Sequence, residues 1–172
     1  MSTNYPSNPN ILSQVGFRFN IQKLPTVSFF TQSFSIPAVN LGTANVPTPF
    51  VNMPVPGDHL TYDLLNIRFL VDEDLANYIE LYEWMTALGF PDSFDQYKTI
   101  VPERYALNGG VYSTGVVEVL DSAKKSFAEI VFEDLYPVNL SSVDFNAKAT
   151  DIGYIEATAS FSFRTFKINK VL

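Results

Sequence analysis

Apolar and polar side chains alternate along several short stretches of the chain. Near its start, Val15, Phe17, Phe19 and Ile21 alternate with other residues, and a period of two residues indicates a β-strand with one buried face. Residues 64–71 form a denser apolar run that is typical of a buried strand. The sequence therefore predicts strands at about residues 15–21, 26–34, 64–71, 111–120, 126–135 and 152–168.

One stretch has the periodicity of an amphipathic helix, which we predict at about residues 73–88. The acidic run 72–74 precedes it, supplying an N-cap candidate and negative charge at the positive end of the helix dipole. Gly89 and Pro91 end the helix. The apolar positions that recur at helical spacing are Leu75, Tyr78, Ile79, Tyr82 and Met85.

The last predicted strand has two different faces. Its apolar face comprises Ile155, Ala157, Ala159, Phe161 and Phe163, and its polar face comprises Glu156, Thr158, Ser160, Ser162 and Arg164. We expect the apolar face to pack under the helix. A strand of this length at a free sheet edge invites pairing with other chains. A ring of identical subunits removes such edges by closing one barrel from many copies.

Segment 37–58 combines prolines with apolar side chains. Five of the eleven prolines in the chain lie between Pro37 and Pro56, and proline favours turns and sheet edges because it cannot donate to a ladder. We expect a proline-broken loop that lies against another apolar surface. That surface is either the core of the same chain or a neighbouring subunit, and the pattern alone leaves both open.

Together these elements predict an α+β fold that is mainly β. About six or seven antiparallel strands form a barrel or sandwich with one flanking α-helix, and the strands close into a larger barrel when rings assemble. The 172 residues suit a single domain with its own core. We expect this domain to carry an N-terminal arm at residues 1–12 and a Pro-rich inter-subunit loop at residues 37–58.

Charge and composition narrow the function. The 18 acidic and 11 basic residues give a net charge of −7, whereas a protein that grips nucleic-acid phosphates needs clustered Lys and Arg. DNA could pass such a protein without being held. There is no cysteine, which excludes disulfides and thiolate metal sites. No apolar run approaches the roughly 20 residues of a membrane span, and the first residues do not resemble a signal peptide.

No catalytic or ligand-binding motif is recognisable. His59 is the only histidine, so a zinc site built from imidazole and thiolate ligands is not expected. G-x-S-x-G and the glycine-rich nucleotide motifs are also missing. The acidic residues at 72–74 could form a metal cluster, but the start of a helix accounts for them. We therefore predict no catalytic, cofactor-binding or metal-binding residues, and a protein that is not an enzyme.

Two longer stretches, residues 46–74 and 135–163, carry a family resemblance. The first is an apolar segment leading into Gly-Asp, a strand and an acidic helix start, and the second is an aromatic-Pro corner, a polar linker and a long strand. In this order they resemble the tail tube proteins of contractile-tailed bacteriophages. Asp58, Asp63, Trp84 and Pro137 lie at the positions that the family pattern implies.

The resemblance implies a structural virion protein made in the host cytoplasm. Tail tube subunits of this family form hexameric rings that stack inside a contractile sheath, and DNA passes through without specific binding. The implied partners are further copies of the chain, the sheath protein, and baseplate or neck proteins. An initiator or adaptor ring at the baseplate or neck is an alternative. A carbohydrate-binding β-sandwich is another, but it would need exposed aromatic platforms.

Assembly then assigns roles to particular residues. We expect the rings to close through the strands at 111–120, 126–135 and 152–168. Since a water-filled channel cannot be lined with Phe, the polar face of the last strand is predicted to face the lumen, with the outer surface of the tube as the alternative. The candidate lumen residues are Glu156, Thr158, Ser160 and Ser162, and the candidate inter-ring contacts are Phe50, Val51 and Met53.

Overall fold

The computed structural model describes residues 16–98, 110–146 and 153–171, and these contain nine strands and three helices. The predicted arm at 1–12 lies outside the described residues. In chain order the elements are β1 Phe17–Ile21, α1 Pro25–Phe29, β2 Thr31–Ser35, β3 Val39–Pro47, β4 Asn52–Tyr62, β5 Leu65–Leu70, α2 Ala76–Gly89, α3 Phe94–Lys98, β6 Ser113–Leu120, β7 Ser126–Leu140, β8 Glu156–Ser162 and β9 Thr165–Lys170.

Seven strands form one antiparallel sheet in the order β1-β6-β7-β8-β5-β2, with β9 also paired to β7. Its two end strands approach each other, because the Phe34 ring on β2 lies 5.0 Å from Phe17 and 6.5 Å from Phe19 on β1. The sheet therefore curls into a partly open barrel. The predicted mainly β, antiparallel fold is confirmed.

The core fills this barrel and the space beneath α2. Alternate residues of β5 and β8 point inward and are buried, as their period of two predicts. On α2, Leu81 and Trp84 are buried, and the Trp84 ring lies 6.4 Å from Phe161. The predicted packing of the last strand under the helix is thus confirmed at Phe161.

The prediction of one continuous last strand at residues 152–168 is wrong. It divides at Phe163 and Arg164 into β8 and β9, although the register against β7 continues from Pro137↔Phe161 to Glu133↔Thr165. Opposite the division, Asp134 has a left-handed backbone with φ 56°. The Arg164 side chain forms ion pairs with Asp134 and Glu133 across this division.

Helix α2 begins at Ala76, and the prediction that the acidic run at 72–74 caps it is wrong. Leu75 occupies the N-cap position with φ 56° and gives no side-chain cap. Buried Asn77 organises this turn instead. Its Nδ2 donates to the Leu70 carbonyl at 2.7 Å, and its Oδ1 accepts from the Asp72 amide at 3.4 Å.

The strand predicted at 26–34 is wrong in its first half, where the short helix α1 forms. Pro25 stands at the start of that helix, a position that its fixed φ and missing N–H favour. Ser28 stabilises the turn, since its Oγ donates to the Leu24 carbonyl and accepts from the Ile21 amide, both at 2.8 Å. The strand itself starts only at Thr31.

The region after α2 contains the short helix α3, which the sequence analysis did not predict. The rings of Phe90, Phe94 and Tyr97 lie 5.7–5.9 Å apart in pairs and hold this helix against the end of α2. No helix within the described ranges has the length and apolar character needed to cross a membrane.

The strands predicted at residues 111–120 and 126–135 are present as β6 and β7, which pair as a hairpin. Asp121 fixes its turn, because Oδ1 accepts from the amides of Ala123 at 2.8 Å and Lys125 at 2.9 Å. Strand β7 continues beyond the prediction to Leu140, and Pro137 lies within it, opposite Phe161.

Candidate assembly surfaces

The Pro-rich segment is an ordered β-hairpin, so the prediction of a proline-broken loop at 37–58 is wrong. Strands β3 and β4 pair with each other as a separate two-stranded sheet. Pro54 and Pro56 pair with Asn45 and Thr43. Proline has no backbone N–H to donate, so the hydrogen bonds from this part of β4 to β3 come from the residues that alternate with the prolines. The prolines themselves occupy the positions whose backbone faces away from β3. They therefore block addition of a further strand along this edge of β4.

The tip of the hairpin exposes the residues that were predicted to contact the next ring. Phe50, Val51 and Met53 are 98%, 67% and 51% exposed. Thr48 closes the tip, because its amide donates to the Val51 carbonyl at 3.2 Å and its Oγ1 accepts from the Val51 amide at 3.2 Å. The structure thus presents these apolar side chains on a defined turn, and their contact with another ring stays a prediction.

Most of the hairpin lies in a stretch without charge, which ends at Asp58 on β4. Between Lys23 and Asp58 there is no Asp, Glu, Lys, Arg or His, although the whole chain contains 17% charged residues. Exposed surface is normally rich in such side chains. Sequence reasoning missed this uncharged stretch, and because exposed apolar patches often mark contact surfaces, it adds to the prediction that the hairpin is one.

The four candidate lumen residues lie on β8, but they are not equally accessible. Ser160 is only 8% exposed, and its Oγ donates to Asn66 Oδ1 at 2.7 Å. The expectation that Ser160 belongs to an open polar face is therefore wrong for the single chain. Glu156 is exposed, whereas Thr158 and Ser162 are half-buried.

Strand β5 extends the polar face of β8. Asn66 pairs with Ser160 and Arg68 with Thr158, and the Arg68 guanidinium lies 3.4 Å from the Glu156 carboxylate. The predicted face therefore includes a cation that was not foreseen. Alternation of Asn66 and Arg68 with buried residues in the sequence marks them as outward-facing, but only the register shows which strand they adjoin.

Few strand edges are free for pairing between subunits. Strands β6 and β8 have a neighbour on each side, and so does the first half of β7. In the single chain, most residues of 111–120, 126–135 and 152–168 thus already have partners on both sides, and ring closure through these strands stays a prediction. Within the described residues, the strands with an open edge are β1, β2, β9, the two strands of the β3–β4 hairpin and the end of β7 near residues 136–140.

A cluster of charges joins β7 to β9. Glu133 accepts from Lys167 Nζ at 2.6 Å and from Arg164 at 2.9 Å. The hydrogen bond from Lys167, with the nearby positive charges of Lys167 and Arg164, lowers the pKa of Glu133 below 4.5. The hydrogen bond to Asp134 and the charge of its carboxylate raise the pKa of Arg164. The cluster therefore holds β9 in place most firmly when the carboxylates are ionised.

With this geometry in place, sequence comparison identifies the family. The family model described as phage tail tube protein matches residues 4–169. The chain belongs to the phage tail tube protein family. The resemblance noted from residues 46–74 and 135–163 is thereby confirmed, and it extends over nearly the whole chain.

A curated relative agrees with this assignment. The tail tube terminator protein of Enterobacteria phage T4 is 29% identical over 168 residues, which is 94% of this chain and 90% of the relative. The tail tube family is structural, so membership implies a non-enzymatic role.

Solved structures share the fold at low sequence identity. A chain of the anti-feeding prophage cap, described as a tube terminating cap, is 14% identical with a TM-score of 0.63 and 99% coverage of both chains. A chain of the anti-feeding prophage baseplate is 12% identical with a TM-score of 0.61, covering 95% of this chain and 97% of that one. At these identities the likeness establishes the fold of this tail tube family member.

The described residues of this tail tube family member contain no candidate metal site. No group of three or more His, Cys, Asp or Glu within them is arranged to hold an ion. His59, the only histidine, is exposed on β4 in the hairpin. The surfaces that the structure does present are the hairpin with its uncharged tip, the open strand edges and the polar face of β5 and β8.

Proposed function

We propose that this protein forms the ring that terminates the tail tube of a contractile-tailed phage. The observation that carries the proposal is the near full-length match to a tail tube terminator protein. The sequence pattern alone favoured a repeating tube subunit, with an adaptor ring as the alternative. The similarity to a tube terminating cap in fold is compatible with the adaptor position.

The ring is a hexamer that joins copies head to tail. The open edges of β1 and β2 lie at the two ends of the barrel sheet, and β9 and the end of β7 provide further unpaired edges. Different edges on one chain suit a heterologous contact, which closes into a ring when the rotation between copies is an integral fraction of a turn.

The tip of the hairpin joins the terminating ring to the adjoining ring of the tube. Phe50, Val51 and Met53 are apolar and exposed there, and each large apolar side chain contributes about 1.5–3 kcal/mol when fully buried. Six copies of such a contact hold two rings together without any charge pairing.

The polar face of β5 and β8 lines the channel through which DNA passes. Glu156, Thr158 and Ser162 are the lumen residues of β8, and the carboxylate of Glu156 balances the one cation there, Arg68. A face with little net positive charge does not hold phosphate. The net charge of −7 likewise opposes binding of DNA during ejection.

The protein functions in the virion tail after assembly in the host cytoplasm. Its partners there are further copies of itself, the last ring of the tube, and sheath or neck proteins at that end of the tail. No cofactor takes part.

Copy number and position in the particle test this proposal. We expect quantitative mass spectrometry of purified virions to find about six copies, and immunogold labelling to mark one end of the tube. Many tens of copies with label along the whole tube would replace the terminator with the second candidate, the repeating subunit of the tube. Absence from the tail would refute both.

A further inference from the structure

The outer faces of α2 and α3 expose apolar side chains. Ile79 and Tyr82 lie on the same side of α2, one turn apart, and they are 46% and 57% exposed. Phe94 on α3 is 62% exposed. The inner side of α2 is different, because Trp84 is buried there and the Lys23 ammonium lies over its ring at 5.6 Å. Apolar side chains that share an exposed face often mark a contact surface.

A hollow joins these two helices. It has a volume of about 340 Å³ and is lined by Tyr82, Glu83, Thr86 and Ala87 on α2 and by Gln96 on α3. Gln96 is held in place by Asp92, because its Nε2 donates to an Asp92 carboxylate oxygen and its Oε1 accepts from the Asp92 amide, both at 3.2 Å. The hollow therefore offers an incoming side chain both an aromatic ring, Tyr82, and a carboxylate, Glu83.

The same part of the chain carries only negative charge. Between Arg68 and Lys98 there are seven acidic residues and no Lys, Arg or His, although protein surfaces normally mix both signs. Glu83 is exposed and forms no ion pair within the described ranges. Lys98, at the end of α3, pairs with Asp95 at 2.5 Å and so does not neutralise Glu83. The face thus combines exposed apolar side chains with carboxylates that lack a counter-charge.

We propose that this face of α2 and α3 binds a basic segment of another protein, in which Lys or Arg residues flank an apolar side chain. The apolar side chain enters the hollow beside Tyr82, and the flanking cations meet Glu83 and its neighbouring carboxylates. Opposite charges across an interface speed association and select the partner. The inference goes beyond the proposed function, because it applies equally to a terminating ring and to a repeating tube subunit.

Charge argues against other occupants of this face. Nucleic acid is repelled by carboxylates, and so is a second copy of the chain, which has a net charge of −7. The uncharged tip of the hairpin would cover these carboxylates without supplying a counter-charge, and removing an unpaired charge from water is costly. A basic segment with an apolar side chain complements both the apolar and the acidic side chains of the face.

A defined peptide tests this face in purified protein. The probe is a fluorescent peptide of leucine and lysine, and fluorescence anisotropy measures its dissociation constant. We expect Glu83→Lys and Tyr82→Ser each to weaken binding by about fivefold. Two matched controls should bind like the parent: Glu129→Lys, which makes the same charge change on β7, and Tyr154→Ser, which removes a ring that is 89% exposed. Thermal melting checks that each variant is folded.

Two results with this peptide would overturn the proposal. One is the absence of binding by the parent protein. The other is an equal loss in a variant and its control, because binding would then follow the overall charge or hydrophobicity of the chain rather than this face.

Photo-crosslinking in virions identifies the partner itself. With a benzophenone amino acid at position 82, we expect crosslinks to another protein, at a segment that contains Lys or Arg. Adding Glu83→Lys should remove most of these crosslinks, whereas adding Glu129→Lys should keep them. Crosslinks between copies of this chain alone, crosslinks to a segment without Lys or Arg, or no crosslinks at all would overturn the proposal. Copy number in the same particles distinguishes a terminator from a tube subunit separately, so the two proposals fail independently.

Discussion

The barrel and the β3–β4 hairpin are both built from strands with alternating apolar residues, yet only the barrel buries them within the chain. In β5, Leu65, Ile67 and Phe69 are fully enclosed, whereas every residue of β3 is exposed. Two paired strands alone are only marginally stable in water. The difference shows that alternation predicts a strand and an apolar face, but does not predict whether that face is buried within the same chain.

Removing the outer part of the hairpin should have the largest effect. Deletion of residues 44–53 takes away the exposed tip but no residue of the barrel core. We expect soluble, folded protein that no longer joins the adjoining tube ring, because the apolar contacts of the tip are lost. Circular dichroism and negative-stain microscopy measure the two properties, and normal tube ends built from the deletion would contradict the separation of roles.

Two phenylalanines should separate stability from assembly. Phe161 is fully buried beneath Trp84, so Phe161→Ala should lower the free energy of unfolding by about 3–5 kcal/mol. Phe50→Ala, at the exposed tip, should change it by no more than about 0.5 kcal/mol but weaken attachment to the tube. Chemical denaturation compares the two, and equal losses would place Phe50 in a core.

The close approach of Gly57 to Gly42 allows a more specific substitution within the hairpin. Gly57→Ala introduces a Cβ 2.7 Å from the Gly42 carbonyl oxygen and should cost about 1–3 kcal/mol as overpacking, seen as weaker assembly of an intact barrel. Gly42→Ala is the matched control, since its Cβ would meet the His59 carbonyl oxygen at an ordinary 3.6 Å. Sedimentation that shows the same assembly for both variants would mean that the close approach of the two glycines does not position the hairpin.

A positive charge on the polar face of β5 and β8 tests whether that face lines the channel. Thr158→Lys adds one cation per copy beside Arg68, and we expect slower DNA ejection at low salt that recovers at higher salt, since salt weakens phosphate contacts. Thr114→Lys, exposed on β6, serves as the control. Identical ejection by both variants in intact particles would place the β8 face on the outside of the tube.

The smallest effect concerns the charges between β7 and β9. The pKa of Glu133 is lowered in the folded chain, so its stabilising effect is present above about pH 4.5 and is lost as the pH falls through the lowered pKa. The melting temperature of the parent should therefore fall more steeply below pH 4.5 than that of Glu133→Gln. Lys167→Met should flatten the profile in the same way, and parallel profiles for all three proteins would contradict the assignment.

Strands with a clear period of two and a strong turn could be predicted from the sequence. The β6–β7 hairpin is an example, because Asp121 marks its turn and alternate residues mark its faces. Segment 26–34 was harder, since a helix of only five residues has too little length to show its period. At Leu75 the left-handed backbone overrode the capping preference of the acidic residues before it.

The surfaces were only partly predictable. The Pro-rich pattern left open whether Phe50 and Met53 are covered by the same chain or by a neighbour. It also did not predict their position on an ordered ribbon, because prolines at outward positions are compatible with pairing. Burial of Ser160 depends on Asn66 across the ladder, and a contact between residues 94 positions apart is set by register rather than by local sequence.

Hydrogen exchange tests most directly whether the barrel is complete in one chain and the hairpin is completed by its neighbours. The amides of residues 39–62 should exchange rapidly below the assembly concentration and become protected in assembled rings, while those of β5 and β8 stay protected throughout. A hairpin that is equally protected in both states would contradict the account, because its apolar sides would then be covered within the single chain.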